Sequence, residues 1–343
     1  MRAVAITGNQ TAALVDIDRP VPAAGEVLLD VSYCGICGSD VHMLGMPAGI
    51  LPPGHVLGHE LTGVIAELGP QTEGWAAGDR VVVFPMIACG ECDACRTGHP
   101  NLCASGIDRG PGIGRQGGYA DSVAVPAGML RPLPVTVSSA DAALTEPLAV
   151  AIRAIRISGA TPSEPVCVLG AGPLGMLTAA VLQARGFGRV AAVERAGARR
   201  DAAGRLGVPA VSPDEAAARI ESLLAGEPPA VVIDTTGHPS GAPLAIELLP
   251  PAGRLTVVGL PGDAAPIDLA VLAVKELTVR GSLCYDDDDF SEALGHIAAG
   301  RIPCRQIITT IAGLEEAPAR LADLSAGAAQ DIKILLRPGP PAG

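Results

Sequence analysis

The chain is expected to fold as an α/β protein in which a doubly wound parallel sheet interrupts a β-rich unit. Three observations carry this expectation. From Pro165 onward the apolar runs VCVLG, RVAAVE, PAVVIDTTG, RLTVVG and LTVRGSL alternate with Ala- and Leu-rich helical stretches. Strands joined by helical crossovers produce that pattern. Before them, GEVLLDVSYCGICG, LTGVIAELG, DRVVVFP and YADSVAVP are short, β-rich and separated by Gly and Pro turns, as in an irregular barrel or folded sheet. A length of 343 residues also favours two cores over one.

A short strand at Ala210 and Val211 raises the parallel strands to six, the complement of a dinucleotide-binding sheet, so this unit is assigned to residues 151–284. After Tyr285, the run DDDDF followed by SEALGHIAAG reads as an acidic helix N-terminus, favoured by the helix dipole, leading into an amphipathic helix. A calcium site is the sharper reading of the aspartates, but EF-hand spacing is missing. DIKILLRP reads as a final strand, which returns residues 285–343 to the first unit, 1–150, and the closing PGPPAG reads as a frayed end.

Composition excludes several classes. A net charge of -12 opposes a phosphate-rich partner, and 2% aromatic content leaves no stacking platform for single strands, so no nucleic-acid partner is expected. The start MRAVAITGNQ lacks the basic opening and apolar core of a signal peptide, and the other apolar runs are too short or broken to span a bilayer. No membrane partner is expected, and the expected address is cytoplasmic.

Four cysteines, Cys89, Cys92, Cys95 and Cys103, lie in CGECDACRTGHPNLC, close enough for one metal to take all four thiolates. A tetrahedral all-sulfur zinc site leaves no open position, so it stabilises a loop and does not catalyse. Two disulfides are the alternative, disfavoured in a chain without a secretion signal.

In VCVLGAGPLGML the glycines Gly170, Gly172 and Gly175, with Pro173 and Leu174 between them, stand where a strand passes into a helix. The first permits a tight turn, the second admits a pyrophosphate to the backbone, and the third lets helix pack on strand. Glu194 ends the next strand, where a carboxylate accepts hydrogen bonds from both ribose hydroxyls and repels a 2'-phosphate, which favours NAD. Arg195 and Arg199 leave NADP open, because a guanidinium there pairs with a 2'-phosphate, covers the adenine, or merely faces solvent.

A second metal set is offered by CGSDVH, with Cys37, Ser39, Asp40 and His42, and by GHE, with His59 and Glu60. Catalytic zinc takes three protein ligands and keeps a fourth position for water or substrate. Glu146, in TEPLAVA, is a further candidate ligand, and Pro147 after it biases it away from helical backbone. Cys34, Cys167, Cys284 and Cys304 read as core or near-core thiols, and His55 as a loop histidine.

Taken together, CGSDVH, GHE, the four-cysteine loop, EPLAVA, GAGPLG and GSLCYDDDDF resemble the zinc-dependent medium-chain dehydrogenase/reductase (alcohol dehydrogenase) superfamily through nearly the whole chain. The look is closest to the polyol and 2,3-butanediol dehydrogenase branch. The resemblance implies a GroES-like catalytic domain split by a Rossmann cofactor domain, two zinc ions per chain, and a homodimer or homotetramer acting on a small alcohol or ketone. It assigns the catalytic zinc to Cys37 and His59 with Glu60 or Glu146 as third ligand. Asp40 would orient His59, while Ser39 would take the substrate proton and pass it, through cofactor ribose, toward His42. The implied activity is hydride transfer between NAD(H) and a secondary alcohol in a diol, polyol or sugar-like molecule. The alternative on the same scaffold is an NAD(P)H-dependent C=C or C=N reductase, which would need no such proton relay. Two features depart from the branch. The stretch HMLGMPAGILPPGHVLGH is short, and Arg153, with Arg109 and Arg115, offers either an anion contact or solvated charge.

Overall fold

The structure is a computed structural model that describes residues 1–8, 11–46, 51–328 and 330–339. Part of the short stretch after His42 (47–50) and most of the closing PGPPAG (340–343) lie outside the described residues. The chain divides into two compact units, Met1–Glu146 with Ile308–Gly343, and Pro147–Ile307. Residues 147–150 and 285–307 thus group with the second unit.

In the first unit, β1 (Arg2–Gly8) and β2 (Thr11–Asp16) form an antiparallel ribbon. The main sheet is built on β3 (Glu26–Gly35), β4 (Glu60–Leu68), β5 (Arg80–Val83), β6 (Ser122–Pro126) and β7 (Leu130–Pro132). Antiparallel β4 takes one edge of β3 and carries β5 and then β7 beyond it, while β6 pairs the first half of β3. Val27, Leu29, Leu61, Ile65 and Val81, all buried, fill the core beneath this sheet.

The second unit holds β8 (Val166–Leu169), β9 (Val190–Val193), β10 (Ala210–Val211), β11 (Val231–Asp234), β12 (Arg254–Val257) and β13 (Thr278–Gly281). All pair in parallel in the order β10-β9-β8-β11-β12-β13. This is the doubly wound order of a Rossmann sheet, whose strand direction of growth reverses beside β8, and ligands bind at that switch point. The strands β8, β9 and β11 are buried at every position, which accounts for their unbroken apolar runs.

The chain then returns to the first unit with β14 (Ile308–Ala312) and β15 (Lys333–Leu336), and β15 pairs antiparallel with the end of β3. The main sheet therefore reaches seven strands only through the C-terminal segment.

Two expectations are corrected. Glu146 and Pro147 do not break a helix; both lie in the first turn of the helix Thr145–Ser158. There proline is tolerated, because the first-turn N–H groups have no partner inside the helix. Arg153 is not a solvated charge, and the anions it meets are carboxylates of its own chain. It is buried, with Nη1 2.7 Å from Asp286 Oδ2, and Arg156 of the same helix lies 2.6 Å from that oxygen and 2.5 Å from Asp289. Asp286 also caps the helix Asp287–Ala298 by accepting the Asp289 N–H at 3.0 Å, so the aspartate run ties two helices of this unit together. Arg115 likewise pairs with Glu26. Among the described residues, no helix is long and apolar enough to cross a membrane.

Candidate active site

The end of β3 and the start of β4 assemble a compact donor set. Gly35, the last residue of β3, lies directly opposite Glu60, the first of β4. Cys37 follows two residues after that pair and His59 precedes it by one, so one strand register gathers three side chains distant in sequence. The Cys37 thiol, the His59 ring and the Glu60 carboxylate place ligand atoms within 4.8 Å of one another. His59 and Glu60 are buried, and Cys37 is partly so.

A buried polar atom without a hydrogen-bond partner normally costs free energy, and Glu60 Oε1 is one, while Glu60 Oε2 meets only the Lys333 ammonium and His59 Nδ1 only Asp40 Oδ1, at 3.5 Å. A thiolate, an imidazole and a carboxylate at this separation match the ligand chemistry of catalytic zinc, which satisfies that cost. Glu146 is buried too, and its charge reaches Lys333 beside Glu60, yet it stands outside the group of three.

Asp40 organises the site from behind. It lies in the helix Gly38–Leu44, wholly buried, and its Oδ2 accepts the Cys37 N–H at 2.9 Å and the Tyr119 hydroxyl at 2.5 Å. Its Oδ1 is 3.5 Å from His59 Nδ1. Burial alone would push its pKa up, but His59, Tyr119 and the Cys37 amide outweigh burial and hold the carboxylate below its ordinary range. For His59 burial lowers the pKa and Asp40 raises it, with Asp40 prevailing. Ser39 and His42 are exposed on the same helix, three residues apart and hence on one face.

Lys333 and Tyr119 were not singled out in the sequence. Lys333, at the start of β15, is 1% exposed, ion-paired with Glu60, and donates from Nζ to the Ile36 carbonyl at 2.8 Å. Its signal was a lone charge inside the apolar run DIKILLRP. Cys34 is buried beneath the site, where burial drives its thiol well above the ordinary range, so it is an inert core group. Cys167 and Cys304 are buried as well, whereas Cys284 is only partly so. His55 is a buried residue outside any helix or strand.

The four-cysteine loop gathers its sulfurs in the same way. Cys89, Cys92, Cys95 and Cys103 place them within 4.8 Å of one another, and all nine cysteines are free of disulfides. The backbone N–H of Cys92 points at Cys89 Sγ, and that of Cys89 at Cys103 Sγ, each at 3.3 Å. Amides of Glu91 and Cys92 hold the Cys89 thiol below its ordinary pKa, which favours the ligating thiolate.

In the second unit, the glycine loop follows β8 at the switch point. Gly170 has φ +92°, a left-handed conformation that suits glycine, and a Cβ on Gly175 would collide with the Gly170 carbonyl. Gly172 caps the helix Pro173–Ala184, which opens with Pro173 and Leu174, and a Cβ there would meet only Arg199 Nη1, at 3.7 Å. Glu194 is buried at the end of β9, accepting the Ala171 N–H on Oε2 and the Ala196 N–H on Oε1, both at 2.8 Å. Its carboxylate is thus locked against the glycine loop. Arg195 is exposed, and Arg200, unremarked in the sequence, donates to the Glu194 carbonyl at 2.8 Å.

Comparison with known proteins agrees with this geometry. Residues 23–135 match the model of the alcohol dehydrogenase GroES-like domain, and residues 173–299 that of the zinc-binding dehydrogenases. A 2-dehydro-3-deoxy-L-galactonate 5-dehydrogenase from Pseudoalteromonas atlantica is 34% identical over 98% of both chains. The chain belongs to the zinc-dependent alcohol dehydrogenase family.

A D-xylulose reductase A from Aspergillus oryzae is 33% identical to this dehydrogenase, over 93% of this chain and 92% of its own. Among solved structures, an alcohol dehydrogenase from Escherichia coli complexed with NADH superposes with a TM-score of 0.88 at 27% identity, covering 98% of this chain and 99% of that one. A zinc-binding dehydrogenase from Sinorhizobium meliloti bound to NADP gives 0.89 at 29%, with the same coverage. This dehydrogenase therefore transfers hydride between a nicotinamide dinucleotide and an alcohol or ketone and depends on zinc.

The Cys95→Ser variant should lose one of two zinc ions per chain by atomic absorption and melt at lower temperature, since structural zinc contributes directly to folding. Unchanged zinc content and melting would contradict a structural role for the loop.

Proposed function

We propose that this dehydrogenase interconverts a secondary alcohol and its ketone in a polyol or sugar-derived molecule, using NAD(H). The observation that carries the reading is the Cys37, His59 and Glu60 donor set with Asp40 behind His59. Cys37 and His59 hold the catalytic zinc, Glu60 supplies the third ligand, and Glu146 stands near as an exchange partner. Bound zinc acidifies an alcohol and polarises a carbonyl, and bound nicotinamide takes or returns the hydride. Asp40 fixes the His59 ring so that its other nitrogen faces the metal. Ser39 would take the proton of the substrate hydroxyl, and His42 would receive it beyond the ribose of the bound cofactor and release it to solvent. Sugar-acid and polyol activities among the relatives support the substrate class.

The preference for NAD rests on Glu194, whose carboxylate, fixed by two backbone amides, has lone pairs left for ribose hydroxyls and repels a 2'-phosphate. Gly170, Gly172 and Gly175, with Pro173 and Leu174, would receive the pyrophosphate, with Arg199, whose guanidinium lies beside Gly172, and Arg195 as cationic groups for the phosphates and adenosine. The enzyme is also read as a cytoplasmic homo-oligomer. Strand β13 ends its sheet with an unpaired edge, and the adjacent helix Leu269–Val274 buries no residue, leaving Leu269 74% and Val274 84% exposed.

Cys37→Ala should abolish NAD-dependent turnover of polyols and hydroxyketones while far-UV circular dichroism stays unchanged. Retained turnover would remove Cys37 from the site. Glu194→Ala should cut the NADH-over-NADPH ratio of kcat/KM by at least about tenfold, on the scale of losing charge-assisted hydrogen bonds; an unchanged ratio would take the preference away from Glu194. Light scattering should return a dimer mass or a multiple of it, and a monomer would contradict the edge reading.

A further inference from the structure

Lys333 has no part in the proton and hydride steps, yet it is among the largest wholly buried side chains of the molecule. A buried ammonium needs a counter-charge and acceptors, and here both belong to the zinc site. Its Nζ pairs with Glu60 Oε2 and donates to the carbonyl of Ile36, the residue before Cys37. The sheet register explains the reach: Gly35 of β3 is flanked by Glu60 of β4 on one side and Leu335 of β15 on the other. Lys333 lies two residues before Leu335 and so on the same face. A Cβ on Gly35 would collide with Glu60 Oε2 and come within 2.8 Å of Lys333 Cε, so the missing side chain is the space in which the pair meets.

We propose that Lys333 is a positioning residue that competes with the catalytic zinc for the Glu60 carboxylate and keeps that carboxylate an exchangeable ligand. This rests on the assignment of Cys37, His59 and Glu60 to zinc. Without Lys333, Cys37, Glu60, Glu146 and Asp40 would confront the dication with four negative groups and without the ammonium that pairs with Glu60. Glu60 would then donate fully, and the metal would be held too tightly to give its position to substrate. A lysine that only braced the fold would act in the opposite sense, because its loss would loosen the site and hasten metal escape.

The test is the rate at which zinc leaves the holoenzyme for a chromogenic chelator, following the zinc that Cys37→Ala lacks. Lys333→Gln keeps a donor for the Ile36 carbonyl and removes the charge; it should release that zinc about tenfold more slowly, the scale on which outer-shell partners move metal affinity. In a Glu60→Gln background the same substitution should change the rate far less. Lys333→Met carries the same expectations should the glutamine variant fold poorly, and Lys333→Arg, which keeps the charge, should release zinc at the wild-type rate. Release from the neutral variants at the wild-type rate or faster, or an undiminished slowing with Glu60→Gln, would overturn the proposal. If Cys37→Ala lacks no zinc, the ligand assignment itself fails, an outcome separate from these.

Discussion

The register of β3 between β4 and β15 is the constraint on which the metal site depends. It sets Gly35 opposite Glu60 and Leu335, and from that one alignment Cys37, His59, Glu60 and Lys333 fall within reach of each other. Side chains alternate across a sheet, so a slip of one residue would turn Glu60 and Lys333 to the opposite face and disperse the donors. The register is supported by a buried core and by Asp40, whose carboxylate accepts the Cys37 amide N–H and, from 79 residues further along the chain, the Tyr119 hydroxyl. Because β15 comes from the C-terminal segment, Lys333 reaches Glu60 only when the two ends of the first unit meet.

Burial shapes the chemistry there. Asp40, His59, Glu60 and Lys333 are each at most 5% exposed, so their charges act on one another with little screening from water. Such a cluster is costly without cations to balance it, which Lys333 supplies in part and a metal ion held by Cys37, His59 and Glu60 would complete. The Rossmann unit solves a different problem with backbone. Glycines there let a helix N-terminus approach a strand end, and Glu194 is pinned to the loop by the Ala171 amide and held in its own turn by the Ala196 amide. Pre-organisation of this kind lowers the entropy cost of holding a cofactor.

Much of this was legible in the chain itself. The six parallel strands, down to the two-residue strand at Ala210, follow from the recurring apolar runs, which lose all alternation in β8, β9 and β11, where every position is buried. The cysteine spacing and the glycine loop are local signals, and local signals survive in sequence. Glu146 in a helix despite Pro147 was misread because the bias of the residue before a proline is weaker than the demand of a first turn. Arg153 was misread because its partners, Asp286 and Asp289, lie more than 130 residues away. Lys333 and Tyr119 escaped for the same reason: each matters through a neighbour that only the tertiary fold supplies.

The donor sets offer this dehydrogenase two chemically different zinc sites, one of four thiolates and one of mixed ligands. An anomalous difference map collected at the zinc absorption edge from crystals of the NADH complex tests this most directly. Two peaks per chain are expected, one surrounded by the sulfurs of Cys89, Cys92, Cys95 and Cys103 at roughly 2.3 Å, the other bonded to Cys37 and His59 with a carboxylate oxygen of Glu60 or Glu146. A single peak at the four-cysteine loop, or a second peak away from Cys37 and His59, would contradict it.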